Sequence, residues 1–493
     1  MKRLFICCDG TWNSPRNVKD GVSVTTNVHR FHCALAERDG EGNEQRSYYH
    51  PGVGTEGGKV RRAIDGATGT GLSKHIKSAY MWLVQNFEKG DPIYLLGFSR
   101  GAYTVRSLGG MVGRYGILPA GSSWDEVDAL YDEYRRSVQD ETEAESVPLD
   151  ECSRGIHFIG VWDTVGSLGI PLRLHNLPGP LGRLTARRNS FHDTRLSDRV
   201  KNAFHAVAID EQREDFQPTL WSNAAVEGQR IEQVYFSGVH ADVGGGYKER
   251  ELADIPLDWM LDKASECGAA FRPDMRKQAK PSSNNYQGNL HDSHVGVFGM
   301  GHCLPRSLPH LASASQVKSI HESVRKRIKQ PPIGQAPYWP SQVLDTGEKS
   351  GPIRVFAQDR WSYSGLYLEP GEYRFSATGE WIDLNYKSGP AGSNDGLLRR
   401  AGALLKRLSG YKWLELIGCV ANMEDDSGIT YQELFRHGRE KPRHQDFPAW
   451  QGSKTIRVER PGYLYFFAND AWRMYWNNSG SVQVVVTCVR LGS

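Results

Sequence analysis

The sequence predicts an α/β chain: a mostly parallel, α/β-hydrolase-like sheet flanked by helices, followed by an all-β sandwich at the C-terminal end. Three observations predict it. Short apolar runs that end in Gly, Asp or Ser alternate with longer segments of helical periodicity through the first two thirds of the chain. After Tyr338-Trp339-Pro340 the pattern becomes one of alternating strands separated by Pro-Gly turns. And 493 residues exceed the roughly 250–300 at which a single core stops growing.

The apolar runs are Leu4–Cys8, Pro92–Leu96, Ile156–Val161 and Val234–Phe236. Ser73–Phe87 precedes the second run and sets Ile76, Ala79, Tyr80, Leu83, Val84 and Phe87 on one helical face; Ala102–Val112 follows it and is also compatible with a helix. Strands alternating with helices in this way build a mostly parallel sheet with both faces covered. This domain is expected over residues 1–345, with insertions around 171–190, which turns to Pro, Gly, Leu and Arg, and 280–310, which begins with Pro, Ser, Asn and Gln, where lids or plain surface loops arise. Asp345–Pro352 reads as a linker. Beyond it, over 352–493, strands are expected at Ile353–Ala357, Gly365–Leu368, Tyr373–Ala377, Thr455–Val458, Tyr463–Phe467 and Ser481–Val489.

Sixty basic against 57 acidic side chains leave a formal net charge of +3, so no global field favours nucleic acid or an anionic surface. Eight cysteines are scattered without a CxxC pair, which reads as reduced, mostly buried thiols and synthesis in the cytoplasm. Lys2 and Arg3 precede only five apolar residues, too few for a signal peptide, and no stretch approaches the ~18–20 apolar residues that cross a bilayer.

Gly97-Phe98-Ser99-Arg100-Gly101 fits G-x-S-x-G and lies between a strand and a helix, the context in which that motif presents a nucleophilic serine at the carboxyl edge of a sheet. The helix start behind Ser99 adds amide donors where an oxyanion would form. A serine nucleophile needs a base and an orienting carboxylate, which in α/β-hydrolases follow in the order Ser, Asp or Glu, His. Asp163 ends a strand and is the best orienter, with Asp242 as the competitor; His240 ends Val234–Val239 and opens a glycine-rich stretch, read as a flexible loop, and is the best base. His205 and His321 fall in helix-like segments where capping or packing is the plainer role, and His50 stands upstream of the nucleophile. Oxyanion donors are expected from the amide of Arg100 and from Gly10 and Thr11 after the first strand; Asp9 and Asn13 serve there equally well as caps of the turn.

Taken together, Cys7–Asn13, Tyr49–Thr55, Gly97–Tyr103, Val161–Gly169, His205–Trp221 with its Ala208-Ile209-Asp210-Glu211, and Gly238–Tyr247 resemble the α/β-hydrolase family that includes the phospholipase effectors of bacterial type VI secretion. The resemblance spans about residues 1–345. It implies hydrolysis of phospholipid acyl esters by Ser99, Asp163 and His240 with no cofactor for the chemistry, and a phospholipid membrane surface as partner. It further implies synthesis in the bacterial cytoplasm, delivery into a target cell's periplasm, and a secretion spike or immunity protein as protein partners.

A second resemblance covers the C-terminal part. Pro370-Gly371, Gly379-Glu380-Trp381, Gly389-Pro390, Leu416-Ile417-Gly418, Asn469-Asp470 and Asn477–Ser481 look like the calcium-dependent, galactose-binding bacterial lectin of the β-sandwich type. Asp470, Asn477 and Asn478 match that family's calcium ligands, with Leu384 and Met474 near positions that offer main-chain oxygens, and a glycan is the partner it implies; a plain hairpin turn is the other reading of Asn-Asn-Ser-Gly. The sugar-contacting segment is replaced by Asn394–Tyr411, where Leu397, Ala401, Leu404, Leu405 and Leu408 form an apolar stripe beside Arg399, Arg400, Lys406 and Arg407. Such a stripe packs on its own domain or lies in a membrane interface. Two rival functions stay open at this point: an esterase or lipase acting on other esters, and a glycan- or membrane-binding protein whose hydrolase domain is a scaffold.

Overall fold

In a computed structural model of the chain, six strands that run in one direction line up with their carboxyl ends on a common edge. The structure describes residues 1–10, 13, 18–19, 21–52, 70–139, 153–165, 195–294, 303–312, 319–394, 406–408, 410–422, 444–450, 454–472 and 474–492. The strands are β1 (Arg3–Cys8), β2 (Gln45–His50), β3 (Ile93–Phe98), β4 (Ile156–Trp162), β5 (Val200–Ala208) and β6 (Arg230–Phe236), in the order β2-β1-β3-β4-β5-β6 and parallel throughout. Alternation along β1 explains how both faces are covered. Leu4, Ile6 and Cys8 enter one core with helices α2 (Thr70–Asn86), α3 (Arg100–Tyr115) and α4 (Trp124–Gln139), whereas Phe5 and Cys7 enter another with α1 (Asn27–Ala34) and α6 (Glu251–Glu266).

The chain steps from β1 outward to β2, then returns past β1 to β3. That reversal opens a crevice beyond the carboxyl ends of β1 and β3, the place where open α/β sheets hold their ligands. Gly10 and Ser99 stand at those two ends.

Strand and helix limits differ from expectation in ways that have physical reasons. β3 runs to Phe98 and α3 begins at Arg100, so the turn between them is a single residue. His205 is on a strand, β5, and not on a helix. Lys201, Asn202 and His205 interrupt the apolar run of that strand; Lys201 is exposed, Asn202 Nδ2 donates to the His157 carbonyl across 2.9 Å, and His205 Nε2 accepts the Thr164 amide. The stretch after Val239 is not a flexible loop but a short helix, α5 (His240–Gly244), followed by glycines at positive φ. His321 caps α8 (Glu322–Lys329), accepting the Ser323 amide. Among the described residues seven cysteines are free, five of them buried.

The described residues pack as two units. The first takes those of 1–301 and 317–333, the second those of 302–316, 334–424 and 437–492. In the second, strands β7 (Ile353–Phe356), β9 (Gly371–Asp383), β10 (Tyr386–Ser388), β14 (Thr455–Val458) and β16 (Asn478–Leu491) form one antiparallel sheet; β8 (Ser362–Leu368), β11 (Ala391–Ser393), β12 (Trp413–Ala421), β13 (Gln445–Pro448) and β15 (Gly462–Ala468) form the other. Val355, Phe375, Trp381, Leu416, Phe466 and Val484 come from both sheets into one core, the arrangement of a sandwich. Among the described residues no helix is long and apolar enough to cross a membrane.

Candidate active site

Ser99 is the hinge between β3 and α3. Its backbone sits at φ 56° and ψ −121°, a conformation that costs a non-glycine residue about 1–3 kcal/mol and that is retained where surrounding structure enforces it. The Ser99 amide donates to the Trp162 carbonyl across 3.1 Å, which anchors the bend to the end of β4. The flanking glycines are dictated by close approach: a Cβ on Gly97 would stand 2.5 Å from Cα of Ala102, and one on Gly101 2.1 Å from the Cys8 carbonyl oxygen.

One residue past Trp162, Asp163 is fully buried and likewise held at positive φ, 38°. Its Oδ1 accepts the Ala208 amide across 2.9 Å, and its Oδ2 lies 2.6 Å from Nδ1 of His240. With an ionised carboxylate, Nδ1 carries the hydrogen and Nε2 is left as the basic nitrogen. The imidazole packs between the rings of Phe98, whose centroid is 4.6 Å away, and Phe216, at 5.0 Å. Three predicted residues therefore stand at the ends of adjacent or near-adjacent strands of one sheet edge, with His240 packed on the residue that precedes Ser99.

Burial pulls the His240 imidazole below the ordinary histidine range, and the Asp163 hydrogen bond opposes this. The sign is informative: a base with a lowered pKa stays neutral at pH 7 and is lost only in more acid solution. If His240 is the base, kcat/KM on a soluble ester should fall on the acid side with a midpoint below about 6.5. A pH–rate profile with its acid limb above that value would contradict the assignment.

The turn that carries His240 is clamped from several sides, by residues whose roles the sequence reading did not assign. Glu211 is fully buried; it accepts the His240 amide across 3.2 Å, a bidentate Arg213 guanidinium at 2.9 and 2.8 Å, and the Ser293 hydroxyl at 2.9 Å. Asp210 Oδ2 accepts the Gly238 amide at 2.7 Å. The signal for both was an acidic pair directly after a strand, at the same sheet edge as Ser99. Asp242 faces the other way: Oδ2 accepts the Val239 amide at 3.0 Å and so caps α5, while Oδ1 lies 2.6 Å from His291 Nδ1. His205 Nε2 accepts the Thr164 amide at 3.1 Å, which steadies the segment after Asp163. His50, at the end of β2, lies against His75 with ring centroids 3.8 Å apart and the rings tilted by 40°.

Of the expected oxyanion donors, Arg100 begins α3 and its guanidinium is buried, with its pKa lowered to about 10 by that burial. Gly10 lies against Ser99: a Cβ there would stand 3.2 Å from Ser99 Cβ and 2.9 Å from the Phe98 ring. Its amide donates to Asp9 Oδ1 at 2.7 Å. Asp9 also accepts the Thr26 and Tyr49 hydroxyls, each at 2.6 Å, and burial pushes its carboxyl up to about 6. Thr11 lies outside the described residues, as do residues 166–194 of the first insertion, which contain the expected 171–190 segment.

In the sandwich, Asp470 Oδ2 accepts the Asn478 side-chain amide at 2.8 Å, and Asn477 Nδ2 donates to Asp383 Oδ1 at 2.9 Å. The amide oxygens of Asn477 and Asn478 are buried without a hydrogen-bond donor. Orphaned acceptors beside a carboxylate fit a hard cation such as calcium. Among the described residues no group of three or more His, Cys, Asp or Glu side chains is placed to hold a metal ion, so a cation here would depend on the amide oxygens as well. Leu397, Arg399, Arg400, Ala401, Leu404 and Leu405 lie outside the described residues. Arg407 lies against the rings of Trp361, Phe467 and Trp472 and donates to the Arg360 carbonyl at 2.6 Å, so this cation serves its own domain.

Comparison with known proteins places residues 2–263 within a family described as "T6SS, Phospholipase effector Tle1-like, catalytic domain". The uncharacterised protein YEL023C of Saccharomyces cerevisiae is 30% identical over 244 residues, 44% of this chain and 32% of that protein. The chain thus spans about a third of the length of this curated relative. Three solved structures share 15–17% identity. One is an uncharacterised protein from Pseudomonas aeruginosa (TM-score 0.34, covering 58% of this chain and 49% of that one). Another is the Tle1 effector bound to the VgrG spike of the type 6 secretion system (0.38, 57% and 77%). The third is the EclA N-terminal domain, a PllA-like lectin (0.20, 28% and 97%).

Proposed function

The chain belongs to the Tle1-like family of type VI secretion phospholipase effectors, and from that premise we propose that it is a serine esterase of α/β-hydrolase type that cleaves acyl esters of phospholipids. The observation that carries the reading is the 2.6 Å contact from His240 Nδ1 to Asp163 Oδ2. It sits on the same sheet edge as a serine held in a strained bend. His240 Nε2 takes the Ser99 proton as the hydroxyl oxygen attacks the acyl carbonyl, and Asp163 holds the imidazole in the tautomer this requires. The Arg100 amide and the loop of Gly10 receive the oxyanion. Gly10 leaves room beside Ser99; because its amide is turned to Asp9, a donor role for it requires the loop to turn. Nε2 then protonates the departing lysolipid oxygen, and water, activated by the same nitrogen, cleaves the acyl-enzyme.

Membership in an effector family also supports delivery by type VI secretion, with the secretion apparatus and an immunity protein as partners, and a bilayer as the surface on which the enzyme works. Calcium belongs to the sandwich and not to the reaction. The test is lipidomic: purified full-length protein incubated with vesicles of phosphatidylethanolamine and phosphatidylglycerol should release free fatty acid and lysophospholipid. Turnover of triglyceride or short soluble esters with intact phospholipid would make it an esterase of another substrate class. Binding to vesicles with no ester cleaved would make the first unit a scaffold.

A further inference from the structure

Five large apolar side chains stand in solvent at one end of the sandwich: Phe356, Leu384, Tyr386, Met474 and Trp476. They account for every exposed large hydrophobic among the described residues of the second unit. Their neighbourhood is established by the backbone. Leu384 and Asn385 make the two-residue turn between β9 and β10, and the Leu384 amide donates to the Asn477 carbonyl at 3.2 Å. Met474 precedes and Trp476 lies within the single turn Tyr475–Asn477. Asp383 pairs with Tyr386 on one side and with Asn478 on the other, and the Asn478 side chain donates to the carbonyl of Ala357, next to Phe356.

Folding does not account for this patch. Trp476 is 77% exposed and Leu384 66%, and Leu384 sits at φ 54°, a left-handed conformation that two-residue hairpin turns ordinarily assign to Asn, Asp or Gly. An apolar residue held both strained and in water points to a role outside the folded core. The tips rise beside the two orphaned amide oxygens and the carboxylates of Asp383 and Asp470.

We propose that this end of the sandwich is a calcium-dependent docking surface for a phospholipid bilayer. A hairpin tip and a helical turn bearing exposed Leu, Met, Tyr and Trp offer apolar side chains to a bilayer, with aromatic rings suited to the boundary between acyl chains and headgroups. Without a cation, Asp383 and Asp470 would repel lipid phosphates at that depth; calcium held by Asp470, Asn477 and Asn478 reverses the local charge. A galactose-binding site would instead present polar donors in a concavity, whereas Arg407 here turns to the domain's own aromatic rings.

The proposal is independent of the catalytic reading, and its test uses the full-length chain carrying Ser99→Ala so that the bilayer is not consumed. With vesicles of phosphatidylethanolamine and phosphatidylglycerol, cosedimentation should be at least about tenfold stronger in calcium chloride than in chelator, with a blue shift of tryptophan emission. Trp476→Ser and Leu384→Asn should each weaken partition by about tenfold. Trp476→Ser should melt where its parent does, and Leu384→Asn should melt higher, because Asn relieves the left-handed turn. Partition that ignores calcium, survives the double variant, or gives way to calcium-dependent retention on a galactose resin alone would overturn the proposal, as would a lower melting temperature for Leu384→Asn.

Discussion

Ser99→Ala is expected to lower kcat on phospholipid or soluble ester by about 10⁵-fold or more, close to 7 kcal/mol of transition-state stabilisation. The size follows from the site's construction. No other hydroxyl is presented on a one-residue bend at the end of β3, and a base whose hydrogen bond to Asp163 is already formed has nothing to deprotonate once the oxygen is gone. The fold should not notice: Ala keeps the same Cβ at the same φ, and the glycine contacts at positions 97 and 101 are untouched. The measurement is a progress curve with each substrate beside thermal melts of both proteins. Turnover within about tenfold of the parent, from a variant that melts normally, would remove Ser99 from the chemistry.

Asp163→Asn is expected to cost about 10⁴-fold in kcat with little change in folding, and the reason is directional. Oδ1 of Asp163 must accept the Ala208 amide, so the asparagine oxygen takes that place and its NH₂ is turned toward His240. Two donors then face each other unless the imidazole moves its hydrogen to Nε2. In that tautomer Nε2, the nitrogen proposed to take the Ser99 proton, cannot accept it. Asp163→Ala should be comparably inactive and less stable, because the Ala208 amide is left buried without an acceptor. A kcat loss under tenfold for the Asn variant would show that His240 does not depend on this carboxylate for its orientation.

How far the sequence could be read depended on how local each signal was. The bend at Gly97–Gly101, the apolar runs and the strand-end position of Asp163 are properties of a few consecutive residues, and periodicity exposes them. β5 was not legible because Lys201, Asn202 and His205 break its apolar run: Lys201 faces solvent, and the partners of Asn202 and His205 lie on other segments. The same holds for β12, where Glu415 is satisfied partly by the Trp450 indole 35 residues away. Glu211 entered the sequence reading only as part of a family motif, because the His240 amide, Arg213 and Ser293 come around it only in the fold.

By itself the sequence determined the class of the fold, the presence of a second β-rich unit, the bend at Ser99 and the chain order of the residues placed near it, since each is encoded in spacing along the chain. Only the tertiary structure decided which carboxylate faces His240, that Asp242 caps a helix, that the Gly10 amide is turned to Asp9, and that Leu384 and Trp476 share one exposed tip. Some of those contacts join residues tens of positions apart, as from His240 to Asp163, and others join near neighbours, as from Gly10 to Asp9; in both cases hydrogen-bond direction and solvent exposure do not exist until the chain has closed on itself.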